Sequence, residues 1–158
     1  MLMPCSRKLR KEWNDRKKDG VVCVVKKIDE QKRHVELVEE LSKQLEPVLR
    51  NSDQPVCIYL DDRHKRCNNR FAIMLGYPNA DIWNDLDVNF LETFVDKDSQ
   101  DLVFANYRKT VEKLVGSVVE AKWRRKDGRA IKSKVIHVPI TFKGYYFAIM
   151  FVLEYELV

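Results

Sequence analysis

Hydrophobic positions change period twice along this chain, and the changes mark out its elements. From Asp29 to Leu49, the residues Val35, Val38, Leu41, Leu45 and Val48 recur at mostly three- and four-residue steps with Glu and Lys between them. That spacing predicts an amphipathic helix, with Pro47 near its end and Asn51-Ser52-Asp53 at its exit. Upstream, Val21-Val22-Cys23-Val24-Val25 follows the turn signal Lys18-Asp19-Gly20. These β-branched residues suit a short strand, and a helix running into Ile28 suits them equally.

Beyond Gln54 the period shortens. Pro55 to Leu60 reads as a strand, Asp61-Asp62-Arg63 as a polar turn, and His64 to Cys67 as the returning strand. Asn68-Asn69 can cap a short helix that carries Phe71, Met74 and Leu75 inward, with Gly76-Tyr77-Pro78 as its stop. Two further short pieces, Asp81 to Trp83 and Asn89 to Phe94, are rich in large apolar side chains. Asp96 to Ser99 then opens a longer helix whose inward stripe is Val103, Tyr107, Val111 and Leu114, with Phe104 alongside and Gly116 as its end. Three strands close the chain: Ser117 to Arg125, Arg129 to Phe142 and Tyr145 to Glu156. They are joined by Lys126-Asp127-Gly128 and Lys143-Gly144, both hairpin turn chemistry. The order of elements predicts an α+β fold in which a sheet packs on helices.

Composition agrees with a single core: 158 residues, 45% hydrophobic and 34% charged. The net charge of +5 is uneven. Met1 to Arg33 carries eleven Lys or Arg against five Asp or Glu, which leaves the remainder slightly acidic. This basic lead-in, residues 1–28, makes a nucleic-acid-binding regulatory adaptor the alternative function. Trp13 is the one aromatic among the first twenty residues, so a base-stacking platform is missing there. Cys5, Cys23, Cys57 and Cys67 form no C-x-x-C pair, so a zinc site is not expected from them. The start lacks a signal peptide's apolar stretch and no run is long enough to span a bilayer, so the expectation is a cytoplasmic protein with reduced thiols. Catalysis is not expected, because neither a Gly-rich phosphate loop nor a nucleophile spacing is present. Asp61-Asp62 is read as turn chemistry.

Several segments together resemble the PAS domain family. They are Asn68 with Phe71; Leu75-Gly76-Tyr77; Phe94 with Asp96 and Asp98; Trp123-Arg124-Arg125-Lys126-Asp127-Gly128; and Val138-Pro139-Ile140. The resemblance covers about Gln54 to Glu154, within a domain set at 52–158 and preceded by the helix at 29–50. It implies a five-stranded antiparallel sheet with helices on one face, and a sensory, signal-transducing and non-catalytic role. It also implies a pocket that in some relatives holds flavin, haem or a small organic ligand and in others nothing. With no effector segment after the last strand, output is expected through a partner or the lead-in.

Light-sensing relatives place a reactive cysteine second in an Asn-Cys-Arg-Phe string, where this chain reads Asn68-Asn69-Arg70-Phe71. Asn69 cannot form the flavin adduct. The usual haem ligand, a histidine on the long helix, is also missing, since none lies between Asp96 and Gly116. His34, His64 and His137 are each expected in structural or surface roles, and His137 is expected to face away from a pocket that Val138 faces. No metal ligands are therefore assigned. The candidate lining for a ligand is Tyr59, Phe71, Met74, Trp83, Phe90 and Phe94 from the first strand and short helices. Phe104, Tyr107, Trp123, Phe147 and Ile149 complete it from the long helix and the closing strands. Ordinary core packing competes for the same residues. The last strand is apolar on both faces, so the lead-in helix or a second subunit should cover its outer face. A homodimer through Val35, Val38, Leu41, Leu45, Val48 and that sheet face is the expectation, beside a possible effector protein.

Overall fold

The computed structural model describes the backbone of residues 20–158 and the side chains of residues 29–158. The basic stretch Arg7 to Lys18 lies outside the described residues. The described chain opens with helix α1 (Gly20–Gln44), which decides between strand and helix over Val21 to Val25 in favour of the helix. Instead of one helix to Leu49, α1 ends at Gln44 and a short α2 follows (Glu46–Asn51). Pro47 sits in the first turn of α2, where its missing N–H is harmless, whereas inside a continuous helix its ring would clash with the preceding turn.

Next come strands β1 (Val56–Tyr59) and β2 (Lys65–Cys67), then α3 (Asn69–Met74), α4 (Ala80–Asn84) and α5 (Phe90–Phe94). A 3-10 turn (Lys97–Ser99) leads into α6 (Gln100–Lys113), and β3 (Ser117–Arg124), β4 (Ala130–Phe142) and β5 (Tyr145–Leu157) close the chain. The strands form one antiparallel sheet in the order β2-β1-β5-β4-β3, so the last strand is central. The fold is α+β, as the pattern of elements predicts. No helix among the described residues is long and apolar enough to cross a membrane.

Local chemistry explains the short helices. Asn68, Asn79 and Asn89 each cap one, accepting from the backbone N–H three residues on. At the end of α3, Gly76 takes φ +88°, and Lys126 N–H donates to Leu75 O at 2.8 Å. The Gly76 stop and the Lys126-Asp127-Gly128 turn, distant in sequence, thus meet. Gly116 does not end the long helix. Leu114 does, in the left-handed conformation at φ 53°, and this turns its side chain outward instead of into the expected stripe. Thr110 takes an inward place beside Val103, Tyr107 and Val111.

Helix α1 lies across the sheet face opposite the short helices. Tyr145, Phe147 and Ile149 alternate onto one side of β5, and Tyr145 meets α1 through a ring contact with His34 at 5.3 Å. Arg66, opposite Ile58 on the same side, approaches Glu39 of α1. Among the described residues, the buried stripe of α1 is His34, Leu37, Val38 and Leu41. It is rotated from the expected one: Val35 and Val48 are exposed, and Leu45 is only half-buried. The surface named for a homodimer is thereby divided, because Val38 and Leu41 are used within the chain.

Asn68 anchors more than a helix. Its Oδ1 accepts from both Phe71 N and Val56 N at 3.0 Å, and its Nδ2 donates to Gln54 O at 2.9 Å. Asn68→Ala removes a cap and strands a buried strand donor, so it should destabilise the protein by about 2–3 kcal/mol in urea unfolding. A loss under ~0.5 kcal/mol would contradict the role given to this side chain.

Candidate functional site

One small cavity between the sheet and its helical cover is lined by Tyr59, Phe90, Leu91, Val103, Phe104, Tyr107, His137 and Met150. Its volume is about 10 Å³. That is room for about one water, where pockets for drug-sized ligands run to roughly 300–1,000 Å³. Four of the residues proposed from sequence, Tyr59, Phe90, Phe104 and Tyr107, are brought together at this cavity.

Five others fill the neighbouring interior. Phe71 meets Trp83 at 5.2 Å and Trp123 at 5.7 Å, mostly edge to face, and Phe94 meets Trp83 at 5.2 Å and Phe90 at 5.5 Å. Met74 is buried in the same core. This packing gives the side chains one another as partners and leaves little open volume.

Phe147 and Ile149 are placed elsewhere, which corrects the expected lining. Residues opposite one another in an antiparallel pair share a face, and Met150, opposite His137, lines the cavity. The alternate residues Phe147 and Ile149 therefore face α1. The same alternation reverses the expectation for His137: it faces the cavity, and Val138 faces away. His137 is fully buried, with Asn106 Nδ2 donating to its Nδ1 at 2.7 Å. Asn106 also donates to Ser117 Oγ at 2.8 Å, so α6 is clamped to β3 and β4 by one side chain.

One polar anchor, Lys65, was missed from sequence, and a second, Asp62, was read only as turn chemistry. Lys65 is fully buried, and its Nζ donates to Asp62 O at 2.9 Å and Leu86 O at 2.8 Å beneath the Trp83 ring. It ties the loop after α4 to the sheet edge, and burial lowers its pKa. Asp62 Oδ1 accepts from Tyr59 Oη at 2.7 Å and Phe90 N at 3.2 Å, which holds the cavity's two aromatic walls. A lysine in a three-residue strand carries no sign of inward placement, so only the β1–β2 register could have revealed it.

Asp61 has the turn role expected of it, accepting through Oδ1 from Arg63 N and His64 N at 2.9 Å. Burial pushes its carboxyl up, yet hydrogen bonds from His34 and His64 outweigh that and hold it well below the usual range. The thiols of Cys57 and Cys67 are pushed up by burial. Cys67 thus suits the inert apolar role more than a nucleophilic one.

Burial pushes the His137 pKa down from 6.5 to about 4. The folded value lies below the unfolded one, so this group's contribution is full above the unfolded pKa and disappears as pH falls toward the folded one. Between pH 7 and 4.5 it should remove about 2 kcal/mol of stability. Denaturant titrations of the wild type and His137→Asn at these two pH values test this. The variant should lose less by about that amount, and equal losses would contradict the buried neutral imidazole.

No family model matches the chain, and no curated protein does. Solved structures do. The chain is similar to a PAS domain from a two-component sensor histidine kinase, with 14% identity and a TM-score of 0.54 over 73% of this chain and 98% of that one. It is also similar to the PAS domain of an HTR-like protein from Haloarcula marismortui, at 22% identity and TM-score 0.50 over 80% and 99%. A third similar structure is Cycle PAS-B from Drosophila melanogaster with bound ethylene glycol, at 9% identity and TM-score 0.52 over 66% and 99%. With a five-stranded antiparallel sheet in the order 2-1-5-4-3, a helical cover on one face and these neighbours, this chain has the PAS fold.

Proposed function

We propose that this chain is a PAS-type sensory and signal-transduction module that works by contact with a partner and not by catalysis. The observation that supports it most is the docking of α1 on the outer face of the central strands. Leu37, Val38 and Leu41 bury there, each contributing about 1.5–3 kcal/mol. The ion pairs Arg66 with Glu39 and Lys143 with Glu40 are solvent-exposed in part and add little. Among the described residues the apolar grip of α1 on the sheet is these three side chains, so a competing apolar surface can displace the helix and uncover Phe147 and Ile149 on the strand between β1 and β4.

The filled interior supports contact over a large bound cofactor as the input. A water-sized cavity takes no flavin or haem without moving Phe90, Phe104 or Tyr107. A cytoplasmic site of action is part of the proposal. Cys57 and Cys67 face each other across β1 and β2 as free thiols, as suits a reducing compartment.

The partner we propose first is a second copy. With Val38 and Leu41 committed to the chain's own sheet, Val35 and Val48 are the exposed apolar residues of the expected dimer stripe, and among the described residues of the helical segment they are the ones left to meet it. Sedimentation of the full chain at tens of micromolar should give a dimer mass, and Val35→Glu with Val48→Glu should give a monomer. A monomeric wild type would remove the dimer. A visible chromophore band in the purified protein would remove the contact-based input.

A further inference from the structure

Docking of α1 brings His34 against a turn that is distant in sequence, where Asp61 and His64 wait between β1 and β2. One donor atom from each of the three lies within 4.8 Å of the others. His64 Nδ1 is 2.7 Å from Asp61 Oδ1, and His34 Nδ1 is 3.5 Å from Asp61 Oδ2. The two imidazoles meet edge to face at 5.2 Å. Both histidines are more than nine-tenths buried, whereas the Asp61 side chain keeps 21% of its exposure and gives the cluster a route to solvent.

The outer contact of His34 has the form found behind a metal-ligating histidine. His34 turns its other nitrogen, Nε2, toward Glu30 Oε1 at 3.3 Å, and Glu30 accepts in turn from Tyr145 Oη at 3.2 Å. A metal-binding histidine characteristically gives one ring nitrogen to the ion and the other to a carboxylate, which fixes its orientation and raises its basicity.

We propose that His34, Asp61 and His64 bind a divalent first-row cation of the Zn²⁺ type, leaving a coordination position for water or a partner's side chain. Two imidazoles and one carboxylate are the donor set of such ions, and Ca²⁺ or Mg²⁺ would ask for more oxygens. Tetrahedral Zn²⁺ with bonds of ~2.0–2.2 Å sets its donor atoms roughly 3.4 Å apart, between the shortest and longest spacings in the cluster. Small side-chain rotations therefore suffice. The ion would join α1 to the β1–β2 turn, so metal supply would set how firmly the helix stays on the sheet. The site stands on these residues alone, independent of any signalling role.

The test is calorimetric titration of ZnCl₂ into the chelator-stripped full chain, with Co²⁺ absorbance as a second readout. Wild type should bind one Zn²⁺, and His34→Gln and His64→Gln should each weaken binding by at least about tenfold. Asp61→Asn keeps the turn's acceptor, so it should fold and yet lose the rise in unfolding temperature that Zn²⁺ gives the wild type. Absence of Zn²⁺ binding to the wild type, or equal binding by the His34→Gln, His64→Gln double variant, overturns the site. Equal Zn²⁺ stabilisation of wild type and Asp61→Asn also overturns it.

Discussion

A central strand that is apolar on both faces must be covered on both, and β5 is such a strand. Ala148, Met150 and Val152 face the short helices and α6, whereas Phe147, Ile149 and Phe151 face the other way. One side is met by the aromatic interior. The other is met by α1, and without that helix several large side chains at the middle of the sheet would face water. At about 25 cal/mol per Å² of apolar surface, such exposure outweighs the exposed ion pairs around it.

The two covers differ in kind. On the inner side, Trp83, Trp123, Phe71, Phe90 and Phe94 interlock, and Lys65, Asp62, Asn68 and Asn106 satisfy buried polar groups across element boundaries. That side behaves as a fixed core. On the outer side, a single helix rests on the sheet through Leu37, Val38 and Leu41, with a polar cluster at His34 where it meets the two turns. Among the described residues, the outer cover is thus held by fewer apolar side chains than the inner one.

Much of the fold was legible because punctuation and period agreed. The Asn68 cap, Gly76, the Lys126-Asp127-Gly128 turn and the Lys143-Gly144 turn stand between runs of clear period, and α3 and the closing strands fall where they indicate. Of the site, the large aromatics were legible as interior, since no other environment suits so many. The side of β5 was not. Where both faces are apolar, alternation carries no inward sign, and choosing Phe147 and Ile149 over Met150 also misplaced His137 on the paired strand. The phase of α1 was hidden for a similar reason: Val35, Leu37 and Val38 are all apolar, and the helix turns the polar His34 inward toward Asp61. That convergence depends on tertiary docking, which no local spacing records.

The central claim is that α1 covers its own sheet, and ring contacts report on it. Isotope-labelled chain diluted into excess unlabelled chain should show nuclear Overhauser contacts between the His34 and Tyr145 rings, which lie 5.3 Å apart. The account predicts these contacts within single labelled chains. Their absence, or their appearance only between labelled and unlabelled chains, would contradict it.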